Sequence, residues 1–172
     1  MKATFLMACL LTGLTSMGFA GSTATNPTPR DVKATVAFAH PETYADPGPQ
    51  WSDRERDGIL RELGAGMTRS AVDYLRDDVR LEVRVTNLDL AGQVEDWRGP
   101  LHEFRVIRSV YPPRMAFEFR VRDARGRVLD QGQARLTNPN FEFGMRTDTD
   151  RLFYDKALFR DWLRSELSEF RK

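Results

Sequence analysis

A chain of 172 residues with 26 Lys and Arg against 25 Asp and Glu, 41% hydrophobic and 30% charged, has the length and composition of one soluble globule around one core. The near-neutral balance argues against a nucleic-acid binder, which needs a basic surplus to displace counterions. Two histidines and a single cysteine leave little from which to build a metal site or thiol chemistry.

Residues 1–20 read as a cleavable signal peptide. Lys2 is the only charge, an apolar run fills residues 5–14, and Gly18 and Ala20 place small side chains at −3 and −1. The run is shorter than the roughly 20 apolar residues a spanning helix needs, so no integral membrane span is expected after cleavage near Ala20. Leu6-Met7-Ala8-Cys9 loosely resembles a lipobox, but Cys9 has eight residues before it and lies inside the apolar run instead of at its end, so lipid attachment is not expected. Losing Lys2 and Cys9 leaves 25 basic and 25 acidic residues and no cysteine, in a periplasmic or secreted protein. Only Lys33, Lys156 and Lys172 are then lysines; codon bias accounts for this, and a phosphate- or carboxylate-reading arginine surface is the sharper alternative.

Residues 21–32 are polar with two prolines, which predicts a flexible leader before a single α+β domain at 33–172. Ala34, Val36 and Phe38 alternate with polar or small neighbours and predict a first strand over 33–40. Pro41, Pro47, Gly48 and Pro49 make a loop. Ser52 followed by Glu55 is a capping box, and Ile59, Leu60, Leu63, Met67, Ala71, Tyr74 and Leu75 form one helical stripe in which Gly64 and Gly66 either weaken the helix or permit close contact with the sheet. Leu81, Val83 and Val85 give a strand over 80–87, ended by residues 88–92, with residues 93–100 as a loop. Phe104, Val106 and Val110 suggest another extended run. Met115, Phe117, Phe119 and Val121 alternate with charged residues behind Pro112 and Pro113 and predict a half-buried strand. A hairpin turn at residues 123–126, with Gly126 at positive φ, returns the chain through residues 128–136. Asp148 or Asp150 caps a last helix whose apolar face is Leu158, Phe159, Trp162, Leu163, Leu167 and Phe170. The expected architecture is two-layer α+β, order β-α-β-β-β-α: a mixed sheet of four to five strands with two helices packed on one face.

Leu88-Asp89-Leu90-Ala91-Gly92 with Trp97, Tyr111-Pro112-Pro113-Arg114, and Tyr154-Asp155-Lys156-Ala157-Leu158 with Trp162 occur in an order that resembles a family of exported proteobacterial proteins known as domain of unknown function three-thousand-and-sixteen. The resemblance covers roughly residues 33–165. It implies export and a single domain and brings no activity, substrate or catalytic residue. Where the family pattern carries an Asn-Tyr pair, this chain has Asn140-Phe141 and offers no tyrosine hydroxyl.

No nucleophile elbow, Walker loop or His-Glu-x-x-His is present. His40 and His102 read as surface or strand-end histidines, Asp148 and Asp150 as helix caps, and no metal or other cofactor is expected. Trp97, Arg98, Tyr111 and Arg114, with Phe141 beside them, form the candidate binding surface: loop aromatics and arginines held by stiff prolines, against which stands plain plugging of the sheet end by Trp97 and Tyr111. The sheet face carrying Glu82, Arg84, Glu118, Arg120, Arg122 and Arg135 is the second candidate, with cross-strand ion pairing as its ordinary explanation. The leading expectation is a non-enzymatic binding or accessory module whose partner is an envelope protein or other envelope component. The alternative is a carboxylate-dependent hydrolase using Asp89, Glu95 or Asp96 near His102.

Overall fold

The computed structural model describes residues 32–47, 52–94, 105–143 and 150–172. The predicted signal peptide, Cys9, Trp97, Arg98, His102, Glu95, Asp96 and Asp148 lie outside them. In chain order the elements are β1 (Ala34–Phe38), α1 (Asp53–Tyr74), β2 (Val79–Asp89), β3 (Gln93–Val94), β4 (Arg105–Val106), β5 (Arg114–Asp123), β6 (Val128–Thr137) and α2 (Phe153–Glu166). The main sheet runs β1-β2-β5-β6, with β1 parallel to β2 and the other pairs antiparallel. The expected mixed two-layer α+β architecture is present. Of the extended run expected around Phe104, Val106 and Val110, Phe104 lies outside the described residues, Val106 lies in β4, which pairs with β3 in a separate two-stranded sheet, and Val110 is 68% exposed. Gln93, read as loop, lies in β3.

Period-two alternation turns Val79, Leu81, Val83 and Val85 of β2 and Met115, Phe117 and Val121 of β5 to one side, where all are buried. Leu63, Met67 and Ala71 of α1 and Phe159, Trp162 and Leu163 of α2 join them in one continuous core, which puts both helices on that face. The Phe117 ring meets Trp162 edge-on at 4.8 Å and Phe159 at 5.9 Å. Ser52 Oγ accepts from the Glu55 amide at 3.3 Å, the N-cap bond the sequence predicts. Gly64 does face the sheet, under the Phe38 ring, but Gly66 serves the helix–helix contact instead. A Cβ at Gly66 would stand 2.8 Å from Lys156 Cε, and over this gap Lys156 Nζ reaches Asp150 at 2.7 Å and Glu62 at 3.3 Å. Asp150 receives the Leu152 amide on Oδ1 at 2.9 Å, just ahead of α2, so it shapes the approach to the helix while Leu152 occupies the N-cap position.

Candidate functional site

The site grows from an irregularity in β2. Its register against β5 shifts between Val85 and Asn87, so Leu88 returns to the core side although it is three residues after Val85. The chain after β1 is sewn onto this bulge. Tyr44 donates its hydroxyl to the Val85 carbonyl at 2.8 Å, the Ala45 amide donates to Asn87 Oδ1 at 2.9 Å, and Asp46 exchanges backbone hydrogen bonds with Leu88 and Leu90 at 3.0 and 3.1 Å. Burial pushes the Tyr44 phenol up to about 12, so it remains a donor at physiological pH.

Residues 88–92 are then clamped from three directions. Arg105 donates to the Leu90 carbonyl at 3.2 Å and to the Gly92 carbonyl, and one of its nitrogens lies 2.8 and 2.9 Å from the two Asp46 carboxylate oxygens. The Gly92 amide donates to the Tyr111 carbonyl at 3.0 Å. From α2, Asp155 Oδ1 accepts the Ala91 amide at 3.1 Å. Asp155 is 2% exposed, and burial raises its carboxyl to about 7, against the opposing pull of the Ala91 N–H and the Arg105 charge. Such a group can hold or release a proton near neutrality, but it is aimed at packed backbone. The surface depressions around Ala116, beside the β5–β6 turn and between β1 and α1 are lined by other residues.

The opposite face of the sheet is uncovered among the described residues. Arg80, Arg84, Arg114, Arg120, Arg122 and Arg135 stand on it with only Glu82, Asp89 and Glu118 as carboxylates. Arg114 pairs with Asp89 at 2.9 Å, Arg84 with Glu118 at 3.3 Å, and Arg122 with Glu82 at 3.1 Å. Arg135 has no acidic partner among the described residues. Ala116, opposite both Asn87 and Arg135, makes a dip of about 640 Å³ bordered by Arg114, Glu118, Gln133 and Thr137. A wide, shallow, arginine-bordered depression suits a carboxylate- or phosphate-bearing partner.

The described sequence candidates divide between these regions, and Trp97 and Arg98 lie outside the described residues. Tyr111 is half-buried and enters the clamp through its backbone, whereas Arg114 is exposed on the open face. Asp89, offered as a possible acid or base, is ion-paired to Arg114. His40 is exposed with φ 55° and lies 3.4 Å from Glu42, and among the described residues no three His, Cys, Asp or Glu side chains converge as a metal site. Asp155 carried no role in the sequence reading. The signal was there: it lies three or four residues from Leu152, Leu158 and Phe159, on the buried stripe of α2. Phe141, the residue in the tyrosine position, is buried with its ring edge-on to Tyr154 at 4.8 Å.

These features define a two-layer α+β protein whose polar chemistry is divided between a buried clamp and an arginine-rich open sheet. No helix among the described residues is long and apolar enough to cross a membrane. The chain belongs to the family described as "Protein of unknown function (DUF3016)", which matches residues 32–165. The motif segments 88–92, 111–114 and 154–158 all lie within that match, and the clamp is where they meet. No curated protein and no solved structure matches the chain.

Proposed function

We propose that this protein is an exported, non-enzymatic binding or accessory module of the cell envelope. The observation that carries the binding part is the uncovered face of β2, β5 and β6, where arginines outnumber carboxylates and border the dip at Ala116. Export rests on the signal-peptide pattern of residues 1–20. Arg114 contributes from the face, and Trp97, Arg98 and Tyr111 are proposed as further contacts. The test is fractionation of cells producing the full chain, followed by crosslinking in the envelope fraction. The expected result is a shortened mature chain outside the cytoplasm, with crosslinks that weaken in the Arg114→Ala and Trp97→Ala variants. A full-length cytoplasmic product refutes export; crosslinks identical in both variants refute the assigned surface.

A further inference from the structure

Strand β6 forms one edge of the sheet: among the described residues it has β5 on one side and no strand on the other. Long edge strands carry a row of unpaired backbone groups, and proteins usually blunt them with lysine, proline or brevity. β6 has ten residues, none of them lysine or proline; a bulge opposite Arg122 and the Asp130 carboxylate, which accepts the Gln131 amide at 2.7 Å, blunt its start and leave the regularly paired run from Gly132 to Thr137 as the open edge. Gln131, Gln133 and Arg135 project on the open side at every second position, a repeat of about 7 Å that an adjoining extended segment would match side chain for side chain. The electrostatics beside this edge point to one kind of segment. Arg135 lacks an acidic partner among the described residues, Arg114 is its diagonal neighbour on β5, and the three carboxylates of the face are already engaged by other arginines or by Arg114 itself. Arg114 is answered by Asp89, which leaves Arg135 as the guanidinium of this edge that an incoming carboxylate would meet.

We propose that the edge of β6 receives an extended, carboxylate-bearing segment of a partner protein as a fifth strand of the main sheet, its acidic side chains meeting Arg135 first and Arg114 behind it. This rests on the binding reading above and names the partner chemistry. Backbone hydrogen bonds along β6 supply the affinity, and the arginines select acidic over basic segments.

The probe is a ten-residue peptide of alternating glutamate and threonine, titrated onto the mature chain and compared with the lysine–threonine counterpart. A third peptide is N-methylated at alternate residues, so that one edge cannot donate. The expected result is saturable binding of the acidic peptide alone, weakened about tenfold by Arg135→Gln and further by Arg135→Glu, with both variants melting like the wild type because Arg135 is exposed. N-methylation should abolish binding on one peptide edge. Equal binding of the N-methylated peptide, or displacement of the acidic peptide by inorganic phosphate or anionic lipid vesicles at matched ionic strength, would overturn strand addition in favour of simple anion capture. Failure of the acidic peptide to bind, while envelope crosslinks still depend on Arg114, would sink this proposal and leave the binding reading standing.

Discussion

Replacing Asp155 by asparagine keeps the shape of the side chain and an acceptor for the Ala91 amide but removes the titrating proton. In the folded protein the carboxyl holds its proton to about 7, against an ordinary value of 3.8. A raised carboxyl pKa means that the folded state binds more protons than the unfolded state between these values, so this group's contribution is fully present at low pH and is lost as pH rises through 7. The distance between these two values corresponds to about 4 kcal/mol over the whole window, of which about 3 kcal/mol falls between pH 5 and pH 8. Comparing the two proteins at each pH cancels the pH dependence they share and leaves the contribution of Asp155 and its neighbours. Urea unfolding at pH 5 and pH 8 should show the variant gaining about 3 kcal/mol relative to the wild type on going to the higher pH. A stability difference that stays constant across that range would refute the raised pKa.

Gly92→Ala should destabilise strongly, because φ is 77° and the added Cβ would stand 2.5 Å from the Val106 carbonyl oxygen; the expected loss is about 2 kcal/mol or more, read by denaturant melting. Tyr44→Phe should cost about 1 kcal/mol and no more, since the Val85 carbonyl keeps its second donor, the Ala39 amide; a loss above about 3 kcal/mol would mean that the hydroxyl has a larger role than this bond. Tyr111→Ala and Arg114→Ala should separate structure from binding. The half-buried tyrosine should lower the melting temperature, while the exposed arginine, whose pair with Asp89 is worth at most about 1 kcal/mol, should leave it nearly unchanged and weaken envelope crosslinking.

The elements with undisturbed periodicity were legible in the sequence. Met115, Phe117 and Val121 alternate cleanly and are buried, and the apolar residues expected on the last helix are buried too, although α2 ends at Glu166 and Leu167 and Phe170 lie in its cap and the turn beyond it. The end of β2 was not, because the bulge after Val85 changes the phase: Leu88 breaks the alternation yet lies in the core and continues the strand to Asp89. β3 and β4 are two residues each, too short to show any period, and are set by pairing across the intervening chain. The clamp was legible only as a coincidence of motifs. Its joining bonds run between residues 13 to 64 positions apart, and no local pattern announces that Arg105 will meet Asp46 or that Asp155 will lie under Ala91. Arg114 and Arg135 were visible as exposed strand residues, but their diagonal placement depends on the β5–β6 register.

The pairing pattern of the main sheet also sets an order of assembly. β5 and β6 meet across a turn of a few residues, in which Asp123 accepts the Arg125 and Arg127 amides and Gly126 sits at φ 84°, so closing this hairpin costs little chain entropy. β2 joins it across a longer excursion, and β1 can be added only after the 22-residue α1 has carried the chain back to β2. Contacts of long sequence separation are slow to form. Contact order therefore predicts that the hairpin forms early and that the parallel strand β1, with Tyr44 and Asp46 following it onto the bulge, docks late.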